Sequence, residues 1–416
     1  MNKRLVTQLP LRGKRVLIRA DFNVPLDASG AITDDRRIRQ FLPTLQHVID
    51  AGGRAILMSH LGRPSGDREK DAGLSLRPVA ERIAKLLERP CAFASDCVGE
   101  PAAAEAAKLG DGGVLLLENL RFHKAEDVID KAKKNPDGKL TPEQDAKRQE
   151  FGRQLAALGE LYVNDAFGTC HRKHVSMYDV PKLLGGGQCA VGFLIEKELK
   201  YLGAAVQNPK RPFVAVLGGA KVSDKINVIR NLLPKVDQIL IGGAMTYTFW
   251  AAAGRAVGKS LCERDKLDLA RELLAAGGDK LRLPTDSVAA PELKPGQTAR
   301  VIVGDLPDDL MGLDVGPATV AAFRDVLLSA GTIVWNGPVG AFETAPFNAG
   351  TLALAQAIAD ATDRGAVSVI GGGDSAAAVE LAGLAPRMSH ISTGGGASLE
   401  FLEGRPFAPL EVIEPA

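Results

Sequence analysis

Short apolar runs recur along the chain, and each stops abruptly in a polar or glycine-rich segment. In the first half the runs at 16–19 (VLIR), 55–58 (AILM), 91–93, 114–117 (VLLL) and 161–163 predict strands. Segments of helical spacing lie between them: one led in by 32–38, with Thr33 or Asp34 as its N-cap, one over 76–87 and one around 150–158. Residues 125–150 are densely charged, contain the turn signal Asn135-Pro136-Asp137-Gly138, and predict a solvated excursion. In the second half, 192–206 has helical spacing and the length to link two domains. Runs at 213–217, 238–241, 332–335, 367–370 and 390–392 then predict further strands. Strands alternating with helices predict parallel sheets with helices on both faces, and in such sheets ligands bind beyond the carboxyl ends of the strands. The strand ends therefore carry the functional information.

The two halves punctuate those ends differently. The first presents Arg19, Asp21, Asn23, His60, Arg63, Arg121, His123, His171 and Arg172. Guanidiniums on successive loops are suited to forked hydrogen bonds with carboxylate or phosphate. No G-x-S-x-G elbow supports serine hydrolase chemistry, and no carboxylate pattern supports zinc on His171 and His174. The second half presents glycine: the pairs Gly218-Gly219 and Gly242-Gly243, the single glycine of Asn336-Gly337, and the triplets Gly371-Gly372-Gly373 and Gly394-Gly395-Gly396. Glycines at a strand end that opens a helix let phosphate approach the free amides. Asp374 disturbs that picture, because a carboxylate about 4 Å from a phosphate charge costs on the order of 4 kcal/mol at an effective dielectric near 20. A hard divalent cation such as Mg²⁺ between them turns repulsion into attraction. Lys221 and Lys225 lie four apart, on one face if helix has begun by Lys221, and a polyphosphate would relieve their repulsion. One half is thus suited to a small polyanion and the other to a nucleotide with metal, which implies phosphoryl transfer.

Composition sets the frame. At 416 residues, two domains are expected, and 45% apolar with 24% charged residues are soluble-protein values. A net charge of +1 gives no sign of a nucleic-acid or membrane surface. Five cysteines without a CxxC pair fit reduced thiols in a cytoplasmic protein, and no signal-peptide core or membrane-length run occurs.

The motifs RADFNVP (19–25), SHLGRP (59–64), LENLRF (117–122), YVNDAFGTCHRKH (162–174), LGGAKVSDK (217–225), IGGAMTYTF (241–249), WNGPVGAFE (335–343), GGGDS (371–375) and STGGGASLE (392–400) occur in this order, and with them the chain resembles the phosphoglycerate kinases over essentially its whole length. The resemblance implies two doubly wound parallel-sheet α/β domains facing each other across a hinge cleft. They would span 1–185 with the tail 405–416, and 186–404. It also implies a monomer, with reversible phosphoryl transfer between 1,3-bisphosphoglycerate and MgADP in glycolysis. Asp21, Phe22, Asn23, Arg37, His60, Leu61, Gly62, Arg63, Arg121 and Arg172 would form the phosphoglycerate site. Arg37 is chosen over Arg36 because it directly precedes Ile38 in the ITxxxRI pattern. Lys225, Gly242, Gly312, Leu313, Asn336, Glu343, Gly372, Gly373, Asp374 and Ser375 would meet the nucleotide. Gly312 and Leu313 would lie near the base, Glu343 would reach the ribose hydroxyls and Asp374 would hold Mg²⁺. Arg37, Lys221 and the amides of Gly372, Gly373, Gly395 and Gly396 are the candidates for clamping the transferring phosphoryl. The attacking carboxylate is already ionised, so no histidine is assigned as a general base. Closure about 185–206 would exclude water. Two rivals are a dehydrogenase, which needs a G-x-G-x-x-G fingerprint absent at these turns, and a binding protein without turnover. The resemblance gives 125–150 no role.

Overall fold

The computed structural model of the chain describes residues 2–67, 69–132, 135 and 137–416. It divides into two compact units. The first runs to Leu199 and takes back Pro406–Ala416, and the second is Lys200–Arg405. The division falls inside the helix Phe193–Gln207 instead of at 185/186.

In the first unit six strands, β1 (Arg15–Arg19), β2 (Arg54–Met58), β3 (Ala92–Phe93), β4 (Val114–Leu116), β5 (Leu161–Asn164) and β6 (Cys189–Val191), form one parallel sheet. Its order is β3-β4-β2-β1-β5-β6. The continuous apolar runs follow from burial on both faces. Alternate residues Val16, Ile18, Ala55, Leu57 and Val163 pack on Ile38, Phe41, Leu45 and Val48 of the helix Arg36–Asp50 and on Val79 and Ile83 of the helix Arg77–Leu87. On the opposite face Tyr162 is fully buried and its hydroxyl donates to the Ser176 carbonyl at 2.9 Å. Each such core side chain contributes roughly 1.5–3 kcal/mol on burial. The tail returns through Phe407, 5.9 Å from the Phe167 ring, and Glu414 pairs with Arg4 at 2.9 Å.

Three expectations in this unit change. The helix begins at Arg36 after Asp35, not after Thr33 or Asp34, because Asp34 turns back to bond Arg36 N and its guanidinium. Residues 125–150 are not merely solvated: the helix Val128–Ala132 buries Val128 and Ala132, and Glu126 is buried beside it. The helix expected around 150–158 spans Pro142–Ala156, with Thr141 and Gln144 forming a reciprocal cap. Pro136 of the turn signal lies outside the described residues.

In the second unit β7 (Phe213–Leu217), β8 (Gln238–Ile241), β9 (Leu281–Arg282), β13 (Thr332–Asn336), β14 (Val367–Gly371) and β15 (His390–Ile391) form a parallel sheet in the order β15-β14-β13-β7-β8-β9. Val214, Ile333, Trp335 and Ile370 pack against Phe323, Leu327, Leu354 and Ile358 of the helices Pro317–Ser329 and Ala349–Asp363. Between β9 and β13 the chain forms an antiparallel sheet of β10 (Asp286–Ala290), β11 (Arg300–Val303) and β12 (Met311–Val315), in the order β11-β10-β12. A small core of Tyr247, Trp250, Val257, Ala289, Leu306 and Leu310 supports it. The sequence reading did not include this sheet. No helix among the described residues is long and apolar enough to cross a membrane.

Candidate functional site

In the first unit β1, β2 and β5 bring their carboxyl ends together in parallel register, with Arg19 opposite both Met58 and Asn164. Arg19 is fully buried at the centre. Its Nε donates to Ser176 Oγ at 2.9 Å, Nη1 donates to the Ala20 carbonyl, and Nη2 lies 3.2 Å from His60 Nδ1. A guanidinium only donates, so His60 Nδ1 accepts and the ring proton of a neutral His60 sits on Nε2. Burial holds the His60 pKa well below its usual value, against the pull of Asp21. Burial also opposes the charge of Asp21. The fields of His60, then Arg37 and Arg19, outweigh it, and the carboxyl titrates below its ordinary range. With His60 neutral, the two arginines supply that stabilisation. Arg37 Nη1 reaches Asp21 Oδ2 at 2.6 Å, while its side chain stays 37% exposed and open to a ligand.

The loops around this centre are tied by backbone. Asn23 Oδ1 accepts from Gly62 N at 2.8 Å, Phe22 N donates to Ser59 Oγ at 2.8 Å, and Asn119 Nδ2 donates to the Leu61 carbonyl at 2.7 Å. Arg121 Nη1 donates to the Gly62 carbonyl at 2.8 Å, whereas its buried Nε has no partner among the described residues. Burial, then the nearby Arg19, lower the Arg121 pKa. Arg172 Nε donates to His171 Nε2 at 3.0 Å, and burial followed by Arg172 takes His171 down to about 4. An orphaned guanidinium N–H among mutually repelling cations suits an anion, which would accept the hydrogen bond and offset the charge. Asp21, Asn23, Arg37, His60, Gly62 and Arg121 are joined by these contacts or fields. Arg63 stands exposed at the edge.

The second unit has two adjoining cavities. One of about 360 Å³ is lined by Gly243, Tyr247, Trp250, Gly312, Leu313 and Val339, and is mainly apolar and aromatic. The other, about 660 Å³, is lined by Lys221, Lys225, Asn336, Gly372, Gly373, Asp374, Ser375, Gly395 and Gly396. They share Gly219, Ala220, Pro338 and Asp374. A flat ring in the first cavity and a phosphate chain in the second fit this division. The helices Gly373–Leu381 and Gly395–Leu402 open at the second cavity with glycine amides. Gly372 has φ +92°, a turn that favours glycine. Ser375 Oγ accepts from Gly337 N at 2.6 Å and ties the turn to the end of β13. Lys225 Nζ donates to Asn336 Oδ1, and burial lowers its pKa against the opposing charges of Asp224, Asp374 and Glu403.

A family model for phosphoglycerate kinase matches residues 6–405. Phosphoglycerate kinase from Rhodopirellula baltica is 52% identical over 419 residues, covering 100% of both chains. The chain belongs to the phosphoglycerate kinase family. The Chlorobium phaeobacteroides phosphoglycerate kinase is also 52% identical, over 97% of this chain and 98% of that protein. Among solved structures, phosphoglycerate kinase from Coxiella burnetii superposes with a TM-score of 0.85 at 39% identity, covering 99% of this chain and 98% of that one. That from Pyrococcus horikoshii superposes at 0.81 with 30% identity and the same coverage. The fold is therefore that of a phosphoglycerate kinase, with two parallel six-stranded sheets.

Of the residues expected from the sequence, Lys221 lies in an irregular stretch before the helix Ile226–Leu232 and Lys225 is its N-cap, so helix has not begun by Lys221; both line the phosphate-type cavity. Gly242 lies behind the apolar cavity, where a Cβ would strike Val339. Glu343 is exposed and lines neither cavity. Tyr247, Trp250, Met311 and Asp314 of the apolar cavity were not expected. Asp314 accepts from Gly350 N at 2.7 Å and Val315 N at 2.9 Å, and burial lifts its pKa to about 7 despite those bonds.

For metals, two carboxylates line the phosphate-type cavity, Asp224 and Asp374; Asp374 stands in the first turn of the helix Gly373–Leu381, beside the glycine amides, as a cation-bridging ligand requires. Elsewhere Asp96, Cys97 and His123 have ligand atoms within 4.8 Å of one another. They are closed on themselves: His123 Nε2 is 2.5 Å from Asp96 Oδ1, and the Cys97 thiol donates to the Glu118 carbonyl at 2.9 Å. The Nε2 atoms of His171 and His174 are engaged by Arg172 and Asp130 respectively.

Proposed function

We propose that this chain transfers a phosphoryl group reversibly between 1,3-bisphosphoglycerate and ADP, giving 3-phosphoglycerate and ATP. The observation that carries the reading is the contrast between the units within one family match. A cluster of guanidiniums around the buried Arg19, with an orphaned donor on Arg121, stands at the strand ends of the first. Glycine-opened helices around a buried lysine stand in the second. Asp21, Asn23, Arg37, His60, Arg63, Arg121 and Arg172 bind phosphoglycerate, with Phe22, Leu61 and Gly62 shaping the loops. The base enters beside Gly312 and Leu313, in front of Gly242, and Glu343 reaches the ribose. The phosphates lie on Lys225, Asn336, Ser375 and the amides of Gly372 and Gly373, and Asp374 holds Mg²⁺. When bound, that cation offsets phosphate charge.

In ATP synthesis, a β-phosphate oxygen of ADP attacks the acyl phosphate, forming a P–O bond as the bond to the carboxyl oxygen breaks. The leaving carboxylate needs no proton. Arg37, Lys221 and the amides of Gly372, Gly373, Gly395 and Gly396 stabilise charge on the moving group. Reacting atoms must approach to roughly 3–3.5 Å in line. The units therefore close together when both ligands are bound, with 185–206 as hinge, and small-angle scattering that is unchanged by the two substrates together would refute this closure. The protein works as a cytoplasmic monomer. A coupled assay with 3-phosphoglycerate and MgATP tests the function: ADP release should require both substrates. Absence of turnover by the folded protein, or binding of NAD in preference to ADP, would overturn it.

A further inference from the structure

The charged excursion after His123 turns inward at two acids. Glu126 is 1% exposed; its Oε1 accepts from Ser176 Oγ at 2.6 Å and its Oε2 from Ser176 N at 3.0 Å. Ser176 Oγ in turn accepts from Arg19 Nε at 2.9 Å, and Arg19 faces His60. Asp130, four residues on, lies in the helix Val128–Ala132. Its Oδ2 accepts from Arg172 Nη1 at 2.6 Å and from His174 Nε2 at 3.1 Å, the imidazole being fully buried. Burial opposes the Asp130 charge, but His174 and Arg172 outweigh it and keep the group ionised. Arg172 is thereby held at two points, Nε on His171 and Nη1 on Asp130. The end of the fork carrying Nη2 and the second Nη1 hydrogen is left to face a ligand.

We infer that Asp130 is a positioning residue for the acidic substrate: it orients the Arg172 guanidinium before the ligand arrives. The inference rests on reading Arg172 as part of the phosphoglycerate site. The Arg172 side chain is 39% exposed, so without a tether it samples many rotamers and must be ordered on binding. The Asp130 charge acts the other way by repelling the anion, but it bonds one edge of a guanidinium whose other edge meets the ligand. Preorganisation and repulsion predict opposite signs, which makes the test decisive.

The test uses the full-length enzyme, with KM for 3-phosphoglycerate and for MgATP measured separately from kcat. Asp130→Asn should raise the KM for 3-phosphoglycerate about tenfold, as expected for releasing one rotamer-rich side chain. The KM for MgATP should stay within about twofold, since a general structural defect would disturb both substrates. Asp130→Glu should recover part of the loss. Arg172→Ala should cost more, and adding Asp130→Asn to it should cost nothing further, because the two act through one guanidinium. An unchanged or lowered KM in Asp130→Asn, or full additivity with Arg172→Ala, overturns the inference while leaving the site reading intact. If Arg172→Ala itself leaves the 3-phosphoglycerate KM unchanged, the placing of Arg172 falls, and the inference falls with it.

Discussion

Lys225→Met separates the two cavities of the nucleotide half. Lys225 is only 9% exposed, and its ammonium projects into the cavity lined by Gly372, Gly373, Gly395 and Gly396. A unit charge about 4 Å from a phosphate charge interacts by about 4 kcal/mol at an effective dielectric near 20. Part of that is already spent in the free protein, where the ammonium bonds Asn336 and feels Asp224 and Asp374. Halving the value leaves about 2 kcal/mol, or roughly a 30-fold loss of ADP affinity at 1.4 kcal/mol per decade. Methionine keeps most of the packed stem and removes a charge that burial penalises, so folding stability should hold. The assay is isothermal titration with ADP and with adenosine on both proteins. Adenosine, which has only the base and sugar to bury beside Tyr247, Gly312 and Leu313, should bind the variant as it binds the parent. Equal losses for the two ligands, or an ADP loss below about threefold, would refute the division of ring and phosphates between these cavities.

Arg37→Ala should lower kcat by at least about a hundredfold while ADP affinity changes little, because the guanidinium acts on developing charge; a change in KM alone would remove it from catalysis. Asp374→Asn should weaken MgADP by at least about tenfold, with metal-free ADP little affected, and equal losses in titrations with and without Mg²⁺ would contradict a metal ligand. Burial raises the Asp165 pKa to about 7, against the amides of Leu194 and Ile195. For an acid whose folded pKa lies above its unfolded value near 4, the folded state holds the extra proton, so its contribution falls as pH rises from about 4 to 7 and is flat beyond. Asp165→Asn keeps an oxygen for both amides and cannot ionise. Its stability relative to the parent should therefore rise by roughly 2–3 kcal/mol between pH 5 and pH 8; urea denaturation at the two pH values that gives a constant difference would show that Asp165 does not titrate there.

The parallel sheets were legible because strands buried on both faces must be continuously apolar, as 16–18 and 213–217 are, and because ligand groups gather where such runs stop. The antiparallel sheet was not: β10 begins with Asp286 and holds small residues, β12 is interrupted by Gly312 and Asp314, and the short run Val301–Val303 of β11 lies at the surface with Val301 and Val303 exposed. Whether Lys221 and Lys225 share a helix face was left open by their spacing, because four-residue spacing does not reveal where a helix starts; it starts at Ile226, after both.

The deeper loss concerns acids whose partners are distant in the chain. The helices Phe193–Gln207, Pro317–Ser329 and Ala349–Asp363 take bonds to their first amides from Asp165, Asp286 and Asp314, which lie 29 to 36 residues earlier. In the latter two the residue at the N-cap position gives no side-chain bond of its own. A helix start needs an acceptor for its free amides and favours negative charge there. When a strand-end carboxylate supplies both from another part of the sheet, the local sequence around the helix does not reveal which residue caps it. The acid then reads as a ligand candidate or as nothing. Asp130 belongs to the same class, since its meaning lies in Arg172, 42 residues away. Residues that meet a ligand announce themselves by where they stand on a strand. Residues that hold those ligand groups in place become visible only once the chain is folded.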